Sequence, residues 1–181
     1  MQHIRSLPMA VLLLISGLAA FSQSTTPHMN SETIHGFSII GIAMRTTNEN
    51  GQSAKDIETI WTRFWNEHIG EKIAGKVSDD IYAVYKDYET DYTGAYTVVI
   101  GYRVASLQQI PVGFVGLTIE TGPYKKFISK GKMPEAVYNT WLEIWGSKSL
   151  RRAYKTDFTV HGKKYYDGEN AEVETFISVV E

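Results

Sequence analysis

The sequence predicts an α+β fold, a tandem pair of βαββ (strand-helix-strand-strand) units related by a pseudo-twofold axis, with an antiparallel sheet and a central ligand cleft. Three observations carry this expectation. The first is internal similarity at a spacing of 76 residues: Ile39-Ile40-Gly41-Ile42-Ala43-Met44 lines up with Val115-Gly116-Leu117-Thr118-Ile119-Glu120. At the same spacing Trp65 falls on Trp141, Tyr82-Ala83-Val84 on Phe158-Thr159-Val160, and Val98 on Glu174. The second is one apolar stripe of helical period in each half, and the third is a pair of strand-like runs joined by turn residues after each stripe. Units that each bury one sheet face pack as a pair, and a pocket is to be sought where they meet.

The elements follow in order. Residues 37–44 are rich in isoleucine and read as the first strand. Ser53 with Asp56 three residues on has the form of a capping box, after which Ile57, Ile60, Trp61, Phe64, Trp65, Ile69 and Ile73 recur at three and four. That stripe must lie against a sheet. Residues 81–88 and 96–104 are the next strands, joined around Asp91-Tyr92-Thr93-Gly94, where Gly94 is expected to supply a positive φ. In the second half residues 114–121 read as a strand that residues 124–128 extend. Pro134 opens a helix carrying Ala136, Val137, Trp141, Ile144 and Trp145 on one face, and residues 157–161 and 171–179 close a hairpin.

Residues 1–22 have the pattern of an export signal: Arg5, an apolar run over residues 9–21, and Ala20-Phe21-Ser22 with small residues at the positions a signal peptidase reads. A run of about 13 residues spans about 20 Å, short of a membrane core. The protein is thus expected to be exported, to the periplasm or outside the cell, without a stable membrane span. Residues 23–33 form a polar lead with Pro27, and residues 34–181 form one domain, with repeats over about 34–105 and 112–181. The chain has no cysteine, so a disulfide scaffold is excluded. Its formal net charge of −2, with mixed signs along the chain, speaks against a nucleic-acid partner. The acidic turns lack the spacing of a calcium loop, no glycine run opens a nucleotide loop, and neither metal nor cofactor is expected.

Alternation in the last strand sets Val173, Thr175, Ile177 and Val179 against Glu172, Glu174, Phe176 and Ser178. If helices cover the first set, Glu174 and Phe176 look away from them. Glu174 aligns with Val98, whose neighbours on the same face are Ile100 and Tyr102. The expected site is therefore a carboxylate in an apolar, aromatic cleft, suited to a hydrophobic or cationic small molecule. Glu174, Phe176, Tyr102, Tyr82, Tyr124, Val98, Ile100 and Trp145 are its candidate ligand-binding residues. Taken alone, Glu174 reads sooner as a surface residue near a strand end than as a site residue.

These residues also resemble a known family. Residues 77–85 (Val-Ser-Asp-Asp-Ile-Tyr-Ala-Val-Tyr), 88–94 (Tyr-Glu-Thr-Asp-Tyr-Thr-Gly) and 96–101 (Tyr-Thr-Val-Val-Ile-Gly) resemble the first repeat of the integron-associated branch of the GyrI-like small-molecule-binding domains. Gly122-Pro123-Tyr124, Trp141, Ile144-Trp145, Asp157-Phe158 and Glu174-Thr175-Phe176-Ile177 resemble the second. The resemblance spans about residues 34–180. It implies the effector-binding fold of AraC-type and MerR-type regulators, with an acid of the final strand, here Glu174, meeting cationic ligands among aromatic rings. The expected protein is a binding protein, a monomer or weak homodimer, rather than an enzyme. The alternative is a GyrI-like hydrolase of small electrophilic compounds that uses Glu174 with tyrosine assistance.

Overall fold

The computed structural model describes residues 31–180. The expected export signal and residues 23–30 of the polar lead lie outside the described residues. The end of that lead belongs to the sheet: β1 (Glu32–Ile34) pairs with β6, ahead of the expected domain start at residue 34.

After β1 come β2 (Phe37–Thr47), α1 (Gln52–Asn66), the short α2 (Ile69–Lys72), β3 (Lys76–Lys86) and β4 (Ala95–Val104). The second half runs β5 (Val115–Ile119), β6 (Gly122–Lys130), α3 (Glu135–Gly146), β7 (Thr156–His161) and β8 (Glu172–Ser178). All eight strands join one antiparallel sheet in the order β1-β6-β8-β7-β3-β4-β2-β5. The groups β6-β8-β7 and β2-β4-β3 have the same internal order and meet at β7 and β3. There Ala83 pairs with Thr159, 76 residues on, and Tyr82 with Val160 and Val84 with Phe158 flank that pair symmetrically.

The sheet curls. β1 pairs with β6 at one edge and β5 with β2 at the other, yet β1 leads directly into β2 and β5 into β6. The edges therefore lie together, with the Gly36 amide donating to Thr121 Oγ1 at 2.8 Å. A second close approach occurs where Gly41 faces Gly101 across β2 and β4. A Cβ on Gly101 would lie 2.1 Å from the Ile40 carbonyl oxygen, and one on Gly41 2.2 Å from that of Ile100.

Each face of the sheet carries a core. On the inner side of the curl Ile39, Tyr82, Val84, Val99, Ile119, Tyr124, Phe158 and Phe176 pack together. On the other side Ile40, Ile42, Ala83, Val98, Ile100, Tyr102 and Ile177 meet Ile60, Phe64 and Ile69 of the first helices and Trp141 and Ile144 of α3.

Several local expectations change. Residues 114–121 and 124–128 are not one strand: β5 and β6 pair with different partners, and β6, not β5, is the counterpart of β2 in strand order. The capping box does not form. The α1 N-cap is Gly51 in the left-handed region, and Asp56 instead accepts from Thr46 Oγ1 at 2.7 Å and from Gln52. The β3–β4 hairpin exists as expected, but its positive φ falls on Asp87 (52°) and not on Gly94, while Asp91 Oδ1 accepts from the Thr93 amide and hydroxyl.

Candidate functional site

A cleft of about 580 Å³ opens between α1 and α3 on the helix-bearing face of the sheet. One wall is α1, which presents Ile57, Glu58, Trp61 and Trp65. The stripe found in the sequence is wider than the contact with the sheet: Ile60 and Phe64 turn into the core, while Trp65 stays 47% exposed. Trp61 and Trp65 stack at 6.2 Å with their planes 20° apart. The opposite wall is α3, with Val137, Tyr138, Trp141 and Trp145. Trp141 meets Tyr85 edge-on at 4.9 Å.

The floor comes from the strands. Tyr85, Tyr88 and Tyr96 surround one end and His161 occupies the other. Tyr92, from the β3–β4 hairpin, stacks on Trp145 at 5.5 Å with planes 10° apart. Asn48 fixes this closure by donating Nδ2–H to the Tyr92 carbonyl at 2.6 Å and accepting the Tyr96 hydroxyl at 2.9 Å. At the far end Tyr165 meets His161 at 5.1 Å.

Beneath the tyrosines lies a buried ion pair. Arg152 Nη2 donates to Asp157 Oδ2 at 2.6 Å, and the two side chains are 4% and 0% exposed. Tyr88 donates to the same oxygen at 2.9 Å, while Asp157 Oδ1 accepts the Ser178 amide at 2.7 Å and its hydroxyl at 2.9 Å. The guanidinium sits over the Tyr154 ring at 4.3 Å, with Tyr88 and Trp141 farther off. Burial, with the Asp157 charge alongside, holds the Tyr88 hydroxyl well above its ordinary pKa, so it remains a donor. Burial also lowers His161 to about 4, and its Nε2 lies 2.9 Å from Thr159 Oγ1. The imidazole is neutral at pH 7.

Of the residues singled out from sequence, Trp145 lines this cleft and the others lie elsewhere. Val98, Ile100 and Tyr102 are on the helix-bearing face but buried under α1 and α2, with Tyr102 stacked on Phe64 at 5.8 Å. Tyr82, Tyr124 and Phe176 belong to the core inside the curl, where Phe176 stacks on Phe158 at 4.7 Å. Desolvation there raises the Tyr124 pKa to about 12. Glu174 shares the Phe176 side of β8 and forms an ion pair with Lys126.

The separation of Glu174 from Val98 has a simple cause. Phe158 pairs with Phe176 and Tyr82 with Gly101, while Val160 pairs with Glu174 and Val84 with Val99. The counterpart of Glu174 is therefore Val99, one residue from the alignment by sequence. In a strand, one residue is the other face. The acid that does line the aromatic cleft is Glu58, on α1. The sequence signal for this cleft was the surplus of aromatic residues on the helix stripes, more than one sheet contact can cover.

The curled antiparallel sheet, its two packed helices and the aromatic cleft between them define an effector-binding domain of the GyrI-like type, related to the ligand-binding domains of AraC-type and MerR-type regulators. The chain belongs to the family of integron-associated effector binding proteins, Cass2, whose profile matches residues 32–179. Among solved structures it is similar to an integron cassette protein from the mobile metagenome of Vibrio cholerae. The two are 30% identical with a TM-score of 0.67, over 83% of this chain and 95% of that one. SAV2435, solved bound to tetraphenylphosphonium, shares the fold at 16% identity and a TM-score of 0.64, over 84% of this chain and 94% of that one. YobU of Bacillus subtilis (strain 168) is 24% identical over 143 residues, 77% of this chain and 89% of the relative.

Membership and fold are consistent with a non-catalytic effector-binding protein. Among the described residues no group of three or more His, Asp or Glu side chains is arranged to hold a metal ion, and no helix is long and apolar enough to cross a membrane.

Proposed function

We propose that the protein binds a small, largely apolar molecule in the cleft between α1 and α3, and that it favours a positively charged one. The observation that carries this reading is the lining: ten tyrosine and tryptophan rings surround about 580 Å³. Faces of aromatic rings attract cations, and walls of this kind accept varied ring systems because stacking needs little directional matching. The charges agree with this. Arg152 is matched by Asp157, which leaves Glu58 as the unbalanced charge among the lining residues. Glu58 thus takes the part that the family resemblance assigned to Glu174. The tetraphenylphosphonium bound to SAV2435 supports the same class of ligand by analogy of fold. The expected export signal would place this binding outside the cytoplasm, which N-terminal sequencing of the protein from its source cells would test.

Tetraphenylphosphonium and tetraphenylborate have one shape and opposite charges, and quenching of tryptophan fluorescence reports both. The phosphonium is expected to bind at least tenfold more tightly. Glu58→Gln is expected to weaken it by about two- to fivefold, the worth of an exposed charge, and Glu174→Gln to leave it unchanged. Equal binding of the two ions would overturn the charge preference, and no binding of either would overturn the cleft as the site.

A further inference from the structure

Four buried side-chain polar atoms lack a hydrogen-bond partner among the described residues. Three of them, Arg152 Nε, Arg152 Nη1 and His161 Nδ1, belong to residues that line the cleft. Buried donors without partners are rare in folded proteins because each forfeits its hydration without replacement. Their concentration at one cavity is a property of the site and not of the core in general.

Arg152 is the more informative. Its side chain is 4% exposed, and Asp157 engages only Nη2. The rings of Tyr154, Tyr88 and Trp141 pack around the guanidinium at 4.3 to 5.9 Å; Nη2 also reaches the Tyr88 hydroxyl at 3.4 Å, while Nε and Nη1 have no hydrogen-bond partner among the described residues. A guanidinium has donors and no acceptor, so the group that completes it must be an oxygen or nitrogen lone pair. An alkylated or arylated onium ion has none. The ion pair also fixes the guanidinium, through an Asp157 carboxylate that Tyr88 and Ser178 hold in turn. A ligand meeting Arg152 would find its donors already oriented.

We propose that the inner end of the cleft is a hydrogen-bonding subsite in which Arg152 Nε and Nη1 donate to an oxygen acceptor on an aromatic ligand. This rests on the cleft being the binding site, and it narrows the ligand class. The natural ligand is a flat aromatic compound with a carbonyl, phenolic or similar oxygen on the ring system, its cationic or solvated portion lying toward Glu58.

Acridone and 9-aminoacridine test this with one three-ring frame. Acridone is neutral and has a carbonyl where 9-aminoacridine, a cation, has its amine, and both are fluorescent. Affinities are measured for the wild type, for Arg152→Lys, which keeps a positive charge opposite Asp157, and for the double variant Arg152→Met/Asp157→Asn, which removes the pair without stranding a charge. Thermal unfolding checks that each variant is folded. In both variants the ratio of acridone to 9-aminoacridine affinity is expected to fall about tenfold or more, as for loss of a hydrogen bond to a charged donor. An unchanged ratio, with both compounds binding the wild type, would overturn the Arg152 subsite and leave the cleft assignment standing. Failure of both compounds to bind the wild type would overturn the two together.

Discussion

Replacing Asp157 by asparagine removes the charge that Arg152 was buried with and little else. The carboxylate is fully buried and accepts from the Arg152 guanidinium, the Tyr88 hydroxyl, and the Ser178 amide and hydroxyl. Asparagine is nearly the same size and retains a carbonyl oxygen for Ser178, so packing and the backbone bond can survive. What it cannot do is balance a guanidinium whose side chain is 4% exposed. Stranding one member of a buried pair costs about 3–5 kcal/mol, a large share of the roughly 5–15 kcal/mol that holds a domain folded. At about 2–4 °C per kcal/mol for a domain of this size, the midpoint should fall by about 6–20 °C. Urea unfolding followed by tryptophan fluorescence measures the loss as a shift in midpoint at constant slope. Adding Arg152→Met should return most of it, because the double variant has neither charge. A loss under about 1 kcal/mol for Asp157→Asn alone, or a double variant no more stable than the single one, would refute the reasoning that this pair is an isolated, dry one.

Two further outcomes follow from the same structure. Gly101→Ala puts a methyl group against the backbone of β2, where no side chain can move aside, and should cost at least the 1–3 kcal/mol of an overpacked core, read as a lower urea midpoint. His161, at about 4 in the folded protein against 6.5 in an unfolded chain, takes up its proton in the unfolded state first. Stability should therefore fall by about 3 kcal/mol between pH 6.5 and pH 4 and level off below, over and above the titration of carboxylates. His161→Phe should remove that component, which comparison of urea midpoints at pH 7 and pH 4.5 checks.

The amino-acid sequence by itself determined the α+β class, the two helices, the antiparallel hairpins and the correspondence of β3 with β7. These depend on periodicity and turn chemistry, which are local, and on a spacing that the pairing of Ala83 with Thr159 preserves. It also contained the aromatic surplus that became the cleft, although it did not separate rings that cover a sheet from rings that face each other. That separation belongs to the tertiary structure. Trp61 and Trp65 lie on the same helix stripe as Ile60 and Phe64, and only the way α1 seats on the sheet decides which are core and which are wall. The separation of Glu174 from Val98 has a related reason. An alignment one residue out at the last strand is a small error along the chain, but alternation of side chains turns it into the wrong face, putting Glu174 beside Lys126 and leaving the cleft to Glu58. The pairing of Arg152 with Asp157 was beyond the sequence altogether, since it depends on how a loop of the second half folds back over the end of β7.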